Sequence, residues 1–271
     1  VAKKYKITRK QIKQDDKFVA ALKDVTKKIV LKTTGREVSA IDWPRFLILS
    51  AVGLAILCLL AGGVYSIIVY RNHKAERLMA QADTIYRAPV VSRDEYEKEP
   101  MYRAVGAYTD AKKKWSDAAE RYEAVAAAYP STDYGILSLL YLGNCYYDLG
   151  EYPEAIARYQ GYIKKAGANA PFASLTRQSI GYAQEAMNKL DDAEKTFLAL
   201  SAEEGSTISV LSLFDLARIY ETKKNYPKAI EALKKITATE LATSPEFFQL
   251  RKKAEEKIKA LEPLVGGGSA S

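Results

Sequence analysis

Residues 141–160 read YLGNCYYDLGEYPEAIARYQ. Gly143 and Ala155 stand twelve positions apart, Tyr159 follows four later, and leucines and tyrosines fill the intervals at helical spacing. The same frame returns downstream as Gly181, Ala193 and Phe197, and again as Ala217, Ala229 and Leu233. Upstream it is met as Gly106, Ala118 and Tyr122, with Pro130 closing that unit. The four alanines fall at 118, 155, 193 and 229, a period of 36 to 38 residues. Such spacing suits pairs of helices that cross closely. The contact position on the first helix must then be Gly or Ala and its partner on the second Ala, because larger side chains would push the backbones apart. One pair cannot bury its apolar face alone, so several must stack.

This pattern resembles the tetratricopeptide repeat, a 34-residue helix–turn–helix unit with a Leu-Gly pair, a following Tyr, a small residue, an aromatic and a terminal Pro. Leu142-Gly143, Tyr146, Tyr152, Ala155 and Tyr159 carry the match in the second unit, and Leu216-Ala217, Tyr220, Tyr226, Ala229 and Ile230 in the fourth. The longer period, Ala217 in the glycine position and the loss of the terminal Pro after the first unit are departures. The extra residues belong in the loops between units, where insertion is cheap. The expected fold is all-α, a solenoid of about four helix pairs over residues 101–243. A capping helix over 244–263 opens at Ser244-Pro245-Glu246 and carries Phe247, Leu250, Ala254 and Ile258 as one stripe.

In this family the first helix of each unit lines the concave groove. Carrying that register across marks Arg103 and Asp110, then Asn144 and Tyr147, then Gln178, Tyr182 and Glu185, and last Phe214, Arg218 and Glu221 as groove residues. The mixture of amide, aromatic and charge suits an extended peptide or a partner's helix.

Ahead of the repeats, residues 46–70 hold no charged side chain. At 1.5 Å per residue they reach roughly 37 Å, enough to cross a hydrocarbon core. Arg45 and Arg71 bracket the run, and Trp43, Tyr65 and Tyr70 suit its interfaces. A cleaved leader is a poor reading, because 45 residues precede the apolar run. The expectation is one retained transmembrane helix. Gly53 and Gly62-Gly63 would permit close approach of a second span. Residues 71–88 read as a helical stalk and 89–100 as a linker; Gly266–Ser271 read as an artificial linker.

Charge is unevenly placed. Residues 1–45 hold 13 Lys and Arg against 5 acids, which accounts for the whole formal charge of +8; the remainder carries 28 of each sign. The body therefore has no basic footprint for nucleic acid. The tail favours a cytoplasmic N-terminus, and the neutral body can be translocated, although the bias close to the span is slight. Within the tail, Asp15-Asp16 can cap a helix whose Phe18, Leu22, Val25 and Ile29 share a face opposite lysines, ending at Gly35. That pattern suits an anionic leaflet.

Catalytic and metal chemistry finds little material. The chain has one histidine, His73, and two cysteines, Cys58 in the apolar run and Cys145 in a helical pattern, too unlike in setting to pair. No enzyme activity and no cofactor are expected.

The order of parts (basic tail, single span, repeat body) is similar to that of the YfgM-like family, ancillary subunits of the SecYEG translocon. That resemblance implies a bacterial inner-membrane protein with its repeats in the periplasm. Its partners would be translocon subunits, periplasmic chaperones or exported clients. Two other arrangements fit the same parts: a docking subunit of a larger inner-membrane or envelope complex, and an import receptor with its repeats in the cytosol.

Overall fold

The computed structural model describes residues 43–203, 205–239 and 245–266, together with Ala20 and Asp24. The basic tail with its amphipathic pattern, Ser244 and residues 267–271 lie outside the described residues. Among those described, the secondary structure is helical, with an isolated backbone bridge between Val90 and Tyr108. The chain divides into a unit to Ser66 and a unit from Ile67 onward.

Helix α1, Trp43–Arg87, contains the apolar run. Among the described residues it is the one helix long and apolar enough to cross a membrane, and the side chains of its apolar stretch are exposed. Among the described residues nothing covers it, and an uncovered apolar surface suits lipid contact better than a place in a protein core.

The second unit is an α-solenoid. Its helices are α4 (Ala111–Ala128), α5 (Asp133–Asp148), α6 (Tyr152–Ala166), α7 (Ala173–Ala186), α8 (Leu190–Ser201), α9 (Thr207–Thr222), α10 (Tyr226–Ala238) and α11 (Phe248–Gly266). Local chemistry sets their starts. Asp110, Thr132, Ser206 and Asn225 accept backbone N–H bonds at the N-termini of α4, α5, α9 and α10. Pro153 and Pro227 occupy first-turn positions in α6 and α10, where no backbone donor is needed. The turns inside three pairs each place one residue at positive φ: Gly150 at 79°, Asn188 at 57° and Lys224 at 56°.

Close crossing explains the recurrent small residues. A Cβ on Gly143 would stand 2.5 Å from the Tyr159 ring, and one on Gly181 would stand 2.6 Å from Phe197. Ala155, Ala193, Ala217 and Ala229 are fully or almost fully buried at the same level of their units. Around them Leu142, Leu200, Leu216, Ile219, Leu233 and Ile236 complete the core.

The first unit departs from expectation. Gly106 lies in a turn at φ 69° with open space around it, so it makes no helix crossing. The first helix of this pair is instead the end of α1, where Ala75, Met79 and Ala82 are buried against Ala118, Ala119, Tyr122 and Val125 of α4. Ala82 takes the position that Gly143 holds one unit later. Residues expected as a separate stalk are thus part of the solenoid. Between α1 and α4 the expected linker is also structured. Ser92 and Glu95 form a reciprocal capping box at α2 (Arg93–Lys98), and α3 (Pro100–Ala104) follows. Val91 N donates to Tyr108 O at 2.9 Å and Tyr108 N to Pro89 O at 2.9 Å, tying the excursion's ends together.

Helix α11 packs Ala254 and Leu261 into the core that holds Leu233 and Ile236. Ala254 lies thirty-seven positions after Ala217, so the cap is the first helix of a further unit without its partner.

Candidate functional site

The candidate site is the row of side chains presented by the first helices, beside and one turn beyond each small residue. From Ala82 the register gives Asp83 and Tyr86, from Gly143 Asn144 and Tyr147, from Gly181 Tyr182 and Glu185, and from Ala217 Arg218 and Glu221. Two expected members leave the row. Arg103 donates to the carbonyls of Tyr96 and Glu97 at 3.0 and 2.8 Å and so knits α2 to α3. Asp110 caps α4 by accepting from Lys112 and Lys113. Both were tied to Gly106, which lies off the helix crossing, and Asp83 and Tyr86 hold the equivalent places.

The remaining residues come together as a continuous polar strip. Tyr122 donates to Asp83, and Tyr159 donates to Asn144 Oδ1 at 2.8 Å. Asn144 Nδ2 reaches Tyr86 Oη at 3.4 Å. Tyr86 also meets Trp115, Tyr122 and Tyr141 edge-on, with ring centroids 5.3 to 6.0 Å apart. In the third and fourth units, Gln178 and Tyr182 both donate to Asp215 Oδ2, at 2.8 and 3.0 Å. Arg218 grips Glu185 through two bonds of 2.9 and 2.6 Å and reaches Asp215 at 3.1 Å. Lys257 of α11 donates to Glu221, and with Lys253 it lies over the Phe214 ring.

Burial governs the titration of this strip. It is the main reason why the Tyr122, Tyr159 and Tyr182 hydroxyls hold their protons well above the usual tyrosine range. Burial likewise raises the carboxyls of Asp215 and Asp148; Gln178, Arg218 and Tyr182 oppose the first rise, and Lys114 the second. These tyrosines act as neutral donors and aromatic surface at physiological pH. Cys145 is fully buried and its thiol is pushed up to about 12, chiefly by burial, which makes it a core residue. His73 is exposed and meets Glu76 at 3.2 Å on the same helix face. Among the described residues no three His, Cys, Asp or Glu side chains gather to hold a metal ion.

Between the first and third units the strip opens into a cleft of about 200 Å³, lined by Tyr86, Tyr147, Tyr159 and Tyr182 around Asn144 and Asp148. Asp148 and Asp215 were missed by register reasoning, because neither stands at a position that the repeat assigns to the groove. Asp215 was marked only by being an acid amid Phe214, Leu216 and Ala217.

Residues 111–172 and 179–244 match the family model described as Tetratricopeptide repeat. Among solved structures, the nearly identical TPR-like repeats of a Podosopora anserina protein share 17% identity, with a TM-score of 0.44, over 64% of this chain and 90% of that one. MamA shares 20% over 58% of this chain and 95% of its own, with a TM-score of 0.41. BtubC from P. vanneervenii shares 12% over 75% and 94%, with a TM-score of 0.44. No curated protein matches the sequence. The chain carries tetratricopeptide repeats, a fold that is typically a non-enzymatic scaffold for protein–protein interaction.

Proposed function

We propose that this chain is a membrane-anchored adaptor whose first-helix strip binds protein partners outside the cytoplasm, beside the protein-export channel. The strip carries the reading: amide, tyrosine and charged groups line one continuous face, and part of it stays open as a cleft. The charge distribution supports the orientation, with all of the net +8 in residues 1–45 and a neutral remainder. In this arrangement the apolar part of α1 spans the inner membrane and the basic tail lies on the anionic cytoplasmic leaflet. The order of parts supports placement near the SecYEG translocon.

Crosslinking mass spectrometry on the protein extracted gently with its native partners tests this reading. Links from the strip to translocon subunits, periplasmic chaperones and exported chains are expected. A fixed stoichiometric partner set without the translocon would replace the adaptor with a docking subunit of a larger envelope complex. Links to cytosolic proteins alone would reverse the orientation.

A further inference from the structure

The two halves of the strip differ in how far their polar groups are already satisfied. In the C-terminal half, Arg218 is paired with Glu185 and Asp215, Lys257 with Glu221, and Gln178 and Tyr182 with Asp215. In the N-terminal half, the cleft brings the rings of Tyr86, Tyr147, Tyr159 and Tyr182 around Asp148. Among the described residues the Asp148 carboxylate makes no hydrogen bond and no ion pair, and the Tyr147 hydroxyl has no hydrogen-bond partner. Asp148 stays exposed to solvent at the cleft, and what burial it has raises its affinity for a proton. Lys114 is the cation whose field it feels, yet that amine stands over the Trp115 ring, 4.0 Å from its centroid, and forms no ion pair with it.

A carboxylate without a protein partner, in a cleft lined by tyrosines, selects one chemistry. Ring faces carry negative electrostatic potential, so a cation placed among them is attracted by the rings as well as by Asp148. An acidic side chain would be repelled by both. An apolar one would take water from the carboxylate, which costs free energy with no pairing in return. We infer that this cleft anchors one cationic side chain, arginine or lysine, of an extended polypeptide partner. The inference rests on the reading of the strip as a protein-binding face and adds the chemistry of what that face selects.

The test uses the full chain in detergent micelles and a short fluorescein-labelled peptide of alanine and serine with one central arginine. Its twin carries citrulline, neutral and nearly isosteric, in that place, and both peptides carry a neighbouring benzophenone. Anisotropy should give tighter binding of the arginine peptide by about tenfold, the scale of one partly desolvated cation–π and carboxylate contact. Asp148→Asn should abolish the difference, and Asp148→Lys should turn the preference toward a glutamate peptide; Asp148 is exposed, so both variants should fold. Photocrosslinks should fall on α1, α5 and α7. Equal binding of the arginine and citrulline peptides with crosslinks on these helices would overturn the cationic anchor and leave the binding face in place. Crosslinks confined to α6, α8 and α10, or no binding by any peptide, would overturn both.

Discussion

The hydroxyl of Tyr122 donates to Asp83, thirty-nine residues earlier in the chain, and so repeats the bond that Tyr159 makes to Asn144 across fifteen. The geometry is that of one repeat unit; the difference in sequence distance is the excursion through α2 and α3. The bond fastens the end of α1 to α4. Tyr122→Phe removes the donor and leaves a part-buried carboxylate short of a partner. Stability of the full chain in detergent should fall by about 1–3 kcal/mol. An unchanged urea midpoint would show that water replaces the phenol without cost.

The helix crossings predict opposite outcomes for two glycines. Gly181→Ala brings a methyl to 2.6 Å from the Phe197 ring, and repacking should cost about 1–3 kcal/mol. Gly161 also lies inside a helix, but a Cβ there would meet only Leu139 at an ordinary 3.6 Å. Gly161→Ala should therefore stabilise by about 0.5–1 kcal/mol through helix propensity. Paired denaturation curves check both signs.

Lys224 holds φ at 56° in the turn between α9 and α10, where the second unit uses Gly150. A side chain with a Cβ is strained there and glycine is not. Lys224→Gly should raise stability by about 0.5–1 kcal/mol once glycine's greater unfolded-state freedom is offset. A loss of stability in the same thermal or urea scan would assign Lys224 a contact of its own.

Asp215 gives the strip a pH dependence. Burial raises its carboxyl above the ordinary 3.8, so between 3.8 and its raised value the folded chain keeps a proton that the unfolded chain has lost. Its contribution to stability therefore falls as pH rises through that window. Arg218 limits the rise, and Arg218→Met should push the carboxyl higher and widen the window. The deficit of the variant relative to the parent should grow as pH rises through the window in which Asp215 loses its proton. A deficit that does not change with pH would remove Asp215 from the account.

Cys145 should resist iodoacetamide in the folded chain and react after unfolding, since it is fully buried with its thiol pushed up to about 12. Peptide mass mapping after timed alkylation reads this directly. Rapid native modification would mean that α4 and α5 separate on the experimental timescale.

Much of this fold is legible in order, because the chemistry that builds it is local and periodic. An uncharged run of sufficient length marks α1, and small residues twelve positions apart, with an aromatic or leucine four later, mark three helix pairs and their stacking. That logic failed at Gly106, which matches the frame by spacing yet sits in a turn. The residue that does the work, Ala82, lies thirty-six positions before Ala118, too far for a periodic search to join them. The signal was present in Ala82-Asp83 and Tyr86, which match Gly143-Asn144 and Tyr147, but the insertion hides it.

Which groove residues are spent on one another was a matter for the tertiary structure. Sequence alone placed Glu185, Arg218 and Glu221 on one face; only the packed helices pair Arg218 with Glu185 and Lys257 with Glu221. Asp148, one turn's edge beyond the expected positions, became a candidate only when Tyr86, Tyr147 and Tyr182 from three successive units closed around it. Periodicity determines which side of a helix a residue occupies. The distance between side chains on different helices, and therefore whether a charge is paired or open to a partner, is set by how those helices cross.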